Sequence, residues 1–298
     1  MQTSLDCLVC FMRQALSTAR VCSEDPDVQR LVVIEAGKFL STMDFNLSSP
    51  ENAVGLYALI AELTGEIDPY AGIKSRSNEF ALGIQEETAD AIEAASDPLL
   101  AAVRFAIGGN IIDYGAPHSF DAAETLAVCQ QQEFAIDHYA AFRSHIEATR
   151  PGTKILYLAD NCGELVFDGL LVRQLQKLDC EVTVAVREHT IINDATYQDA
   201  ETCGLVSLCK VITNGTGCPG TPLASCSREF LDYFHGADLI LSKGMGNFET
   251  LSEVAAPIYF LFTVKCSQVA THLTKRNSLA HGLLAGKGEM VLLQQENT

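Results

Sequence analysis

The apolar residues of this 298-residue chain change their spacing near residue 150, and this change constrains the fold more than any other feature. Before it, apolar residues recur every three or four positions, as on one face of a helix. After it, short β-prone apolar runs alternate with helical segments. Near-continuous apolar strands of this kind indicate a mostly parallel sheet covered by helices on both faces, which is an α/β fold.

The first half of the chain predicts helices and no convincing strand. The candidate helices are residues 28–40, 52–63, 78–95, 99–105 and 122–146. Proline at a first helical position supports two of the starts, at Ser49-Pro50-Glu51 and at Asp97-Pro98. The sequence therefore predicts an all-helical region over residues 1–150.

The second half predicts the sheet. Its candidate strands are residues 154–159, 181–186, 237–241 and 258–264. Arg150-Pro151-Gly152 is the natural boundary between the two regions, because proline and glycine interrupt both helices and strands. We therefore expect a second domain over residues 151–298.

Charge and composition exclude several classes of function. With 20 basic and 38 acidic residues the net charge is −18, which disfavours partners such as nucleic acids and anionic membrane surfaces. No apolar run is long enough to span a membrane, and the first residues lack the features of a signal peptide. An odd count of 11 cysteines favours a reduced, cytoplasmic protein over a disulfide scaffold.

Polar residues cluster where the predicted strands end. Asp160 and Asn161 follow the first strand, Asp194 follows the second, and Lys243 and Lys265 follow the later two. Ligands of open parallel sheets bind beyond the carboxyl ends of the strands, so these side chains should face one crevice. Carboxylate and amide oxygens suit Mg²⁺ or Mn²⁺, and two lysines would bind a phosphate. The bland alternative for Asp160-Asn161-Cys162-Gly163 is a capped strand-to-helix turn.

A second glycine-containing loop, Gly244-Met245-Gly246-Asn247, follows the strand at 237–241. Its glycines could let backbone N–H groups approach a phosphate, although a lone G-x-G is weak evidence. It is not the dinucleotide-binding fingerprint, which would follow the first strand.

These segments together resemble the damage-control phosphatases, long catalogued as domain of unknown function 89. The resemblance rests on the segments 158–164 (LADNCGE), 192–196 (INDAT) and 242–249 (SKGMGNFE). In the helical half, residues 6–10 (DCLVC), 77–79 (SNE) and 109–115 (GNIIDYG) resemble the microbial, cysteine-containing branch. The family implies a helical region on a Rossmann-like α/β/α domain and a metal-dependent phosphatase of phosphometabolites, sugar phosphates among them.

The resemblance also implies roles for individual residues. The metal ligands would be Asp160, Asn161 and Asp194, and the metal would be Mn²⁺, Co²⁺, Ni²⁺ or Mg²⁺. The segment from Met245 through Gly246 and Asn247 to Glu249 would contact substrate. Lys265 corresponds to the last lysine of an Arg-Thr-x-Lys motif in the eukaryotic branch, which here reads Phe262-Thr263-Val264-Lys265. Glu249 stands where that branch has arginine, so this pocket has lost positive charge.

General chemistry gives a mechanism in which Asp160, Asn161, Lys243 and Lys265 are the catalytic residues. A metal-bound water attacks the phosphorus in line, and the lysines stabilise the charge on the phosphoryl oxygens. Direct attack by Asp160 is the less favoured route, because a carboxylate bound to metal is a poorer nucleophile.

Four further residues have open roles. Asp113 and Glu164 could orient water or substrate hydroxyls, or serve as structural caps. Asn78 and Asn110 could reach over the sheet to bind sugar hydroxyls, or be caps and core amides.

Two more questions stay open at this point. Cys7 and Cys10 form a C-x-x-C pair that could bind metal, act as a redox pair, or simply pack in reduced form. The alternative functions are a small-molecule or carboxyl methyltransferase on a Rossmann-like sheet and a non-enzymatic module that binds metal or phosphate. The oligomeric state is not evident from the sequence.

Overall fold

The structure is a computed structural model, and it describes residues 1–109, 131–148, 151–280 and 282–295. Six helices occupy its first part: α1 (Leu5–Cys22), α2 (Pro26–Leu40), α3 (Ser49–Thr64), α4 (Ala71–Gly83), α5 (Gln85–Ala94) and α6 (Pro98–Gly108). The remaining elements are β1 (Phe134–Asp137), α7 (Tyr139–Glu147), β2 (Thr153–Leu158), α8 (Glu164–Gln176), β3 (Cys180–Val186), α9 (Tyr197–Thr202), α10 (Leu205–Leu208), β4 (Lys210–Thr213), α11 (Arg228–Gly236), β5 (Leu239–Lys243), α12 (Met245–Leu251), β6 (Ile258–Val264), α13 (Ser267–Arg276) and β7 (Glu289–Gln294).

Local signals explain where the early helices begin and end. At the start of α3, the Ser48 hydroxyl accepts from the backbone N–H of Glu51, and the Glu51 carboxylate accepts from the Ser48 backbone N–H at 2.9 Å. This reciprocal capping satisfies N–H groups that the helix itself cannot pair. The helix ends at Gly65, whose φ of +74° is a left-handed conformation that costs glycine little.

The seven strands form one sheet in the order β1-β7-β6-β5-β2-β3-β4. Every neighbouring pair is parallel except β6 and β7. From β2 the chain winds outward through β3 to β4, and from β5 it winds the other way through β6. The strand order therefore reverses between β2 and β5, which is where open α/β sheets bind ligands. The predicted α/β class, with a mostly parallel sheet, is confirmed.

Helices cover both faces of the sheet, and each face has its own apolar core. One core packs Phe105, Phe142 and Phe167 against the strands, and the other packs Phe230, Phe248 and Phe260. A third, smaller core joins α1, α2 and α3 around Phe11 and Leu56. The helical region is thus held by its own core and also lies over the sheet.

The prediction of an all-helical first half is wrong at one place. Residues 122–146 were expected to be one helix, of which residues 122–130 lie outside the described part of the chain. In the described part, Phe134–Asp137 is strand β1, which pairs in parallel with β7 at the edge of the sheet. β1 and α7 therefore belong to the sheet region, although both precede Pro151. The helix expected at 78–95 is also divided, into α4 and α5, with Ile84 between them. Among the described residues, no helix is both long and apolar enough to cross a membrane.

Candidate active site

The carboxyl ends of β2 and β5 lie side by side, and they bring Asp160 against Gly244. A Cβ on Gly244 would lie 2.1 Å from the Asp160 carboxyl carbon, so only glycine leaves room for that carboxylate. Gly244 also has a φ of +81°, which disfavours any side chain. Gly244 was predicted to let backbone N–H groups approach a phosphate. The structure shows that a glycine is also required there to leave room for the Asp160 carboxylate.

A short backbone bridge brings Asp194 to the same place. Asn161 and Asp194 form an antiparallel bridge outside the main sheet. The Cys162 N–H donates to the Asn193 carbonyl at 3.0 Å, and the Ala195 N–H donates to the Asp160 carbonyl at 2.8 Å. Asp160, Asn161 and Asp194, which the sequence assigned to one metal site, are thus neighbours and all buried.

The electrostatics of these carboxylates fit a cation. Burial raises the pKa of Asp160 well above its usual range, and the nearby charges of Asp194 and Glu164 raise it further. Burial also raises the pKa of Asp194, although the Arg187 guanidinium opposes that rise. Crowded, buried carboxylates of this kind are stabilised by a positive ion among them.

Asn161 completes the oxygen set. Its Nδ2 donates to Asp160 Oδ2 at 3.1 Å and to Glu164 Oε1 at 2.7 Å. These bonds fix the amide orientation and leave Oδ1 as its atom for a cation. Two carboxylates and one amide are hard oxygen donors that suit Mg²⁺ or Mn²⁺. Within the described ranges, no group of three or more His, Cys, Asp or Glu side chains has a metal-binding arrangement, so the candidate set depends on its amide.

Lys243 does not lie as the sequence predicted. We expected its ammonium to face the crevice and require an anion from substrate. Instead Lys243 is 1% exposed, and its Nζ donates to Glu164 at 2.8 Å and to Asp168 at 2.7 Å. Tyr157 donates to the same Asp168 oxygen at 2.6 Å. Glu164 and Asp168 therefore supply the negative charge that a substrate phosphate was expected to provide.

The ionisation of this network follows from its burial. Burial raises the pKa of Asp168 to about 6, and the Lys243 ammonium limits that rise. Burial alone would lower the pKa of Lys243, but the charges of Asp168 and Glu164 outweigh it and raise that pKa. Lys243 is therefore charged, and its charge stabilises the buried carboxylates of Glu164 and Asp168.

Arg187 is a site residue that the sequence argument did not select. Its side chain is buried, with only 2% exposed, and its Nε donates to Asp194 Oδ2 at 2.7 Å. Its other nitrogens donate to Thr221 at 3.1 Å and to Asn247 Oδ1 at 3.2 Å. Its position directly after β3 was the available signal, since it shares the strand-end location of Asp160.

The predicted substrate segment lies in and after the Gly244 loop, on α12. Asn247 is fully buried, donates to the Ala159 and Lys243 carbonyls, and so ties α12 to the ends of β2 and β5. Gly246 packs against the Pro219 carbonyl, where a Cβ would lie 2.0 Å from the oxygen. Met245 is half-buried. Glu249 is 8% exposed, and its pKa is raised to about 7 by burial, against the opposing effect of the nearby amino terminus.

The helical region reaches the site through α4. Lys74 is 5% exposed and pairs with Asp199 at 2.7 Å, and Asn78 Nδ2 donates to the same carboxylate at 3.0 Å. Asn78 Oδ1 is buried and has no partner. The charge of Lys74 opposes the rise that burial causes in the pKa of Asp194, so this lysine lies within electrostatic range of the candidate ligands. Asn78 was predicted to bind sugar hydroxyls, and its oxygen is the atom left for that role.

Three other predicted site residues have different outcomes. Lys265 follows β6 and is exposed. It lies four residues beyond Leu261, which is the partner of Lys243 in the sheet. Asn110 and Asp113 lie outside the described residues. The structure therefore leaves the substrate roles of all three as predictions.

The cysteines of the C-x-x-C pair are free thiols on the first turns of α1. Cys7 is buried and Cys10 is exposed. Burial raises the pKa of the Cys10 thiol, and the neighbouring Cys266 and Cys7 add to the rise. The metal-binding, redox and packed readings of this pair therefore all stay predictions.

Comparison with known proteins places this arrangement in a family. The family model described as the damage-control phosphatase ARMT1-like domain matches residues 3–279. A damage-control phosphatase of Pyrococcus horikoshii is 35% identical over 278 residues, which is 92% of this chain and 94% of that protein. A damage-control phosphatase of Archaeoglobus fulgidus is 32% identical over 276 residues, which is 91% of this chain and 94% of that protein.

The fold agrees with this sequence likeness. A crystal structure described as a DUF89 family protein from Pyrococcus horikoshii matches with a TM-score of 0.85 and 31% identity. The match covers 99% of this chain and 100% of that one. The resemblance inferred from the strand-end motifs is confirmed: the chain belongs to the damage-control phosphatase ARMT1-like family.

Proposed function

We propose that this protein is a metal-dependent phosphomonoester hydrolase that acts on small phosphorylated metabolites. The observation that carries the proposal is the buried oxygen set of Asp160, Asn161 and Asp194 at the point where the strand order reverses. Its relatives from Pyrococcus horikoshii and Archaeoglobus fulgidus are named damage-control phosphatases, which supports hydrolysis over the methyltransferase alternative. Freedom from nucleic-acid and membrane partners and a cytoplasmic location stay predictions.

Asp160, Asn161 and Asp194 are the residues that would hold the cation, which we expect to be Mn²⁺, Co²⁺, Ni²⁺ or Mg²⁺. A divalent cation in such a site stabilises charge on phosphoryl oxygens and lowers the pKa of bound water. The two aspartates offset its charge, and three protein ligands leave room for water and for a phosphate.

The protein's other residues hold these ligands in position. Arg187 fixes the Asp194 carboxylate through Oδ2, so the other oxygen, Oδ1, can serve as the ligand atom. Glu164 accepts from Asn161 and from Lys243, and it thereby links the amide ligand to the buried lysine. Loss of such a partner of a metal ligand usually lowers metal affinity or activity by roughly 10- to 100-fold.

Positive charge for the phosphate must then come from outside the buried network. The ammonium of Lys243 is committed to two carboxylates, so Lys265 is the better candidate of the two predicted lysines. Lys74 lies near Asp194 and could also face a bound phosphate, although it pairs with Asp199. We expect an in-line attack by water with inversion at phosphorus.

The test is to strip the purified protein with a chelator, reload it with each metal in turn, and measure hydrolysis of an aryl phosphate. We expect turnover only with metal. Asp160→Asn should lose activity by at least about a hundred-fold and bind Mn²⁺ more weakly. Asp90→Asn, which changes an exposed carboxylate on α5, is the matched control and should behave as the parent.

Two results would count against the proposal. Equal rates in excess chelator would exclude the metal dependence. Tight binding of metal and phosphate without turnover, with every metal and a broad set of esters, would instead favour a non-enzymatic binding module.

A further inference from the structure

Three cysteines that the proposed hydrolysis does not use lie where helices α1 and α13 meet. Cys7 and Cys10 are on the first turns of α1, and Cys266 directly precedes α13. A hydrogen bond from Gln268 Nε2 to Asp6 Oδ2 joins the two helices at this point. Cys10 is four residues after Asp6, on the same face of α1, and Cys266 is two residues before Gln268. The junction therefore brings Cys10 and Cys266 together.

The electrostatics of the Cys10 thiol agree with this placement. Burial is the largest cause of its raised pKa, and among the ionisable neighbours that add to the rise Cys266 contributes most, ahead of Cys7 and Glu249. Charge interactions weaken with distance. Cys266 is therefore as much a neighbour of Cys10 as Cys7 is, although Cys7 lies within one turn of it on the same helix.

The two cysteines of α1 are poorly placed to bond to each other. Residues three apart on a helix have Cβ atoms about 5–6 Å apart, whereas a disulfide needs about 3.5–4.5 Å. Cys7 and Cys10 both lie within α1, so a bond between them would require its first turns to unwind. Cys266 lies outside α1, and a bond to it leaves the helix intact.

The exposure of the three thiols differs in a way that favours the same pair. Cys10 is exposed, Cys266 is half-buried, and both are free thiols. Cys10 Sγ accepts only a weak hydrogen bond, from Gln14 Nε2 at 3.3 Å. Cys7 is buried, and its Sγ accepts from the Ser4 backbone N–H at 3.4 Å. Cys10 is therefore the thiol of α1 that a small oxidant in solvent can reach.

We propose that Cys10 and Cys266 form a reversible disulfide that joins α1 to α13 when hydrogen peroxide is present. The O–O bond of the peroxide breaks as the Cys10 sulfur takes one oxygen and becomes a sulfenic acid, with release of water. The Cys266 sulfur then attacks the Cys10 sulfur, forms the S–S bond and releases the oxygen as a second water. Both thiols are oxidised, their protons leave in the water, and the peroxide is reduced.

The disulfide would act on the residue beside it. Lys265, the candidate ligand of the substrate phosphate, directly precedes Cys266. The bond fixes the two Cα atoms at about 4.4–6.8 Å, so the start of α13 can no longer move independently of α1. Because a misplacement of about 1 Å in a positioning group can cost about 100-fold in rate, we expect the disulfide form to have a lower kcat/KM. This effect on activity rests on the proposed phosphatase function, whereas the disulfide itself does not.

The first experiment identifies the bond. The Mg²⁺-loaded protein is treated with hydrogen peroxide, its remaining thiols are alkylated, and its tryptic peptides are analysed by mass spectrometry without reduction. Cleavage after Arg13, Lys265 and Lys275 gives the peptides 1–13 and 266–275. We expect these two peptides to be joined, at the sum of their masses less two hydrogen atoms, and to separate again on reduction.

Single variants decide which cysteine is bonded, because peptide 1–13 contains both Cys7 and Cys10. The joined peptide should persist in Cys7→Ser and be lost in Cys10→Ser and in Cys266→Ser. Cys22→Ser removes another half-buried thiol, at the far end of α1, and is the matched control that should keep the bond. A joined peptide in Cys10→Ser, a bond to any other cysteine, or no bond in the parent would overturn the inference.

The second experiment measures the consequence for the proposed reaction. Hydrolysis of an aryl phosphate by the metal-loaded protein is measured before oxidation, after removal of the oxidant, and after reduction. We expect kcat/KM to fall about tenfold or more in the parent and in Cys22→Ser, to recover on reduction, and to stay constant in Cys266→Ser. An oxidised parent with unchanged kcat/KM, or an equal fall in Cys266→Ser, would overturn the coupling to Lys265.

The outcomes separate this inference from the function on which its second part depends. Hydrolysis without a bond between Cys10 and Cys266 would overturn the inference and leave the phosphatase function standing. No hydrolysis of any ester by the reduced, metal-loaded protein would overturn the proposed function and the coupling to Lys265, while the peptide masses would still decide the disulfide.

Discussion

The carboxyl edge of the sheet and the helical region above it carry charge in different ways. At the edge, Lys243 and Arg187 are buried, and each is bonded to carboxylates of the same region. The helical region adds one buried ammonium, Lys74, which pairs with Asp199. Its face toward residues 189–192 is mostly apolar and carries the carboxylates of Glu66 and Asp68.

The two regions should therefore respond differently to substitution. The edge is a network in which each charge is stabilised by its partners, so a change there leaves another charge buried and unpaired. The exposed Glu66 and Ile67 of the helical region belong to no ion-pair network among the described residues. We therefore expect substitutions at the edge to affect stability and chemistry together, and substitutions at exposed positions of the helical region to affect stability little.

The largest effect should come from Lys243→Met. Removing the ammonium strands the buried carboxylates of Glu164 and Asp168, and the loss of one partner from a buried ion pair costs about 3–5 kcal/mol. We expect the free energy of unfolding, measured by urea denaturation, to fall by that amount.

Lys265→Met is the matched control for this prediction. Lys265 is exposed, so its loss should change stability by less than about 0.5 kcal/mol. If it binds phosphate, kcat/KM should still fall about tenfold, since charge-assisted hydrogen bonds are worth roughly 1.5–3 kcal/mol. A Lys243→Met protein as stable as Lys265→Met would contradict the buried network.

Gly244→Ala and Gly65→Ala form the next pair. Both glycines have positive φ, +81° and +74°, so both variants incur the backbone strain of about 1–2 kcal/mol. Only at Gly244 would the new methyl group displace a carboxylate, whereas nothing lies within 4 Å of the equivalent point at Gly65.

We expect Gly65→Ala to be destabilised but active, and Gly244→Ala to lose both stability and phosphatase activity. Thermal unfolding and aryl phosphate hydrolysis measured on both variants check this. Full activity in Gly244→Ala would mean that Asp160 does not need its present position.

A smaller, pH-dependent effect is expected at Glu249. Its pKa is raised to about 7 in the folded protein, from an ordinary value of 4.5, because burial disfavours the charged form. A raised carboxyl pKa makes the folded state most favoured below about pH 4.5, and that stability is lost as the pH rises through 7.

Glu249→Gln should therefore raise the free energy of unfolding by about 1–3 kcal/mol at pH 8 and change it little at pH 4.5. Urea denaturation of both proteins at several pH values provides the measurement. A difference that does not vary with pH would show that the carboxylate is ionised and satisfied in the folded protein.

Much of the sheet was predictable because its central strands are buried on both faces. β2, β3, β5 and β6 are near-continuous apolar runs, and each lies within two residues of its predicted bounds. The edge strands β1 and β4 are short, only four residues each, and are less uniformly apolar. A four-residue apolar run next to a helix has no distinct period, so β1 was read as part of the helix that follows it.

The location of the candidate site was predictable from the sequence, but the ion-pair partners of its side chains were not. Strand ends alone indicated that Asp160, Asn161 and Asp194 would meet, because parallel strands place their carboxyl ends at one edge. The partner of Lys243 was not evident, since Glu164 and Asp168 reach it from one face of α8, a relation that depends on tertiary packing. The same holds for Arg187, whose partners come from three separate segments.

The contact of the Asp160 carboxylate with Gly244 also bears on the order of folding. The two residues are 244 − 160 = 84 positions apart, and the Lys74–Asp199 pair spans 199 − 74 = 125 positions. Contacts between such distant segments form late, because a long loop must close before they are gained. During synthesis, a nascent chain that has emerged only as far as β4 carries its aspartates without the loop that seats them. The proposed metal affinity should therefore arise only after the segment through α12 has been added.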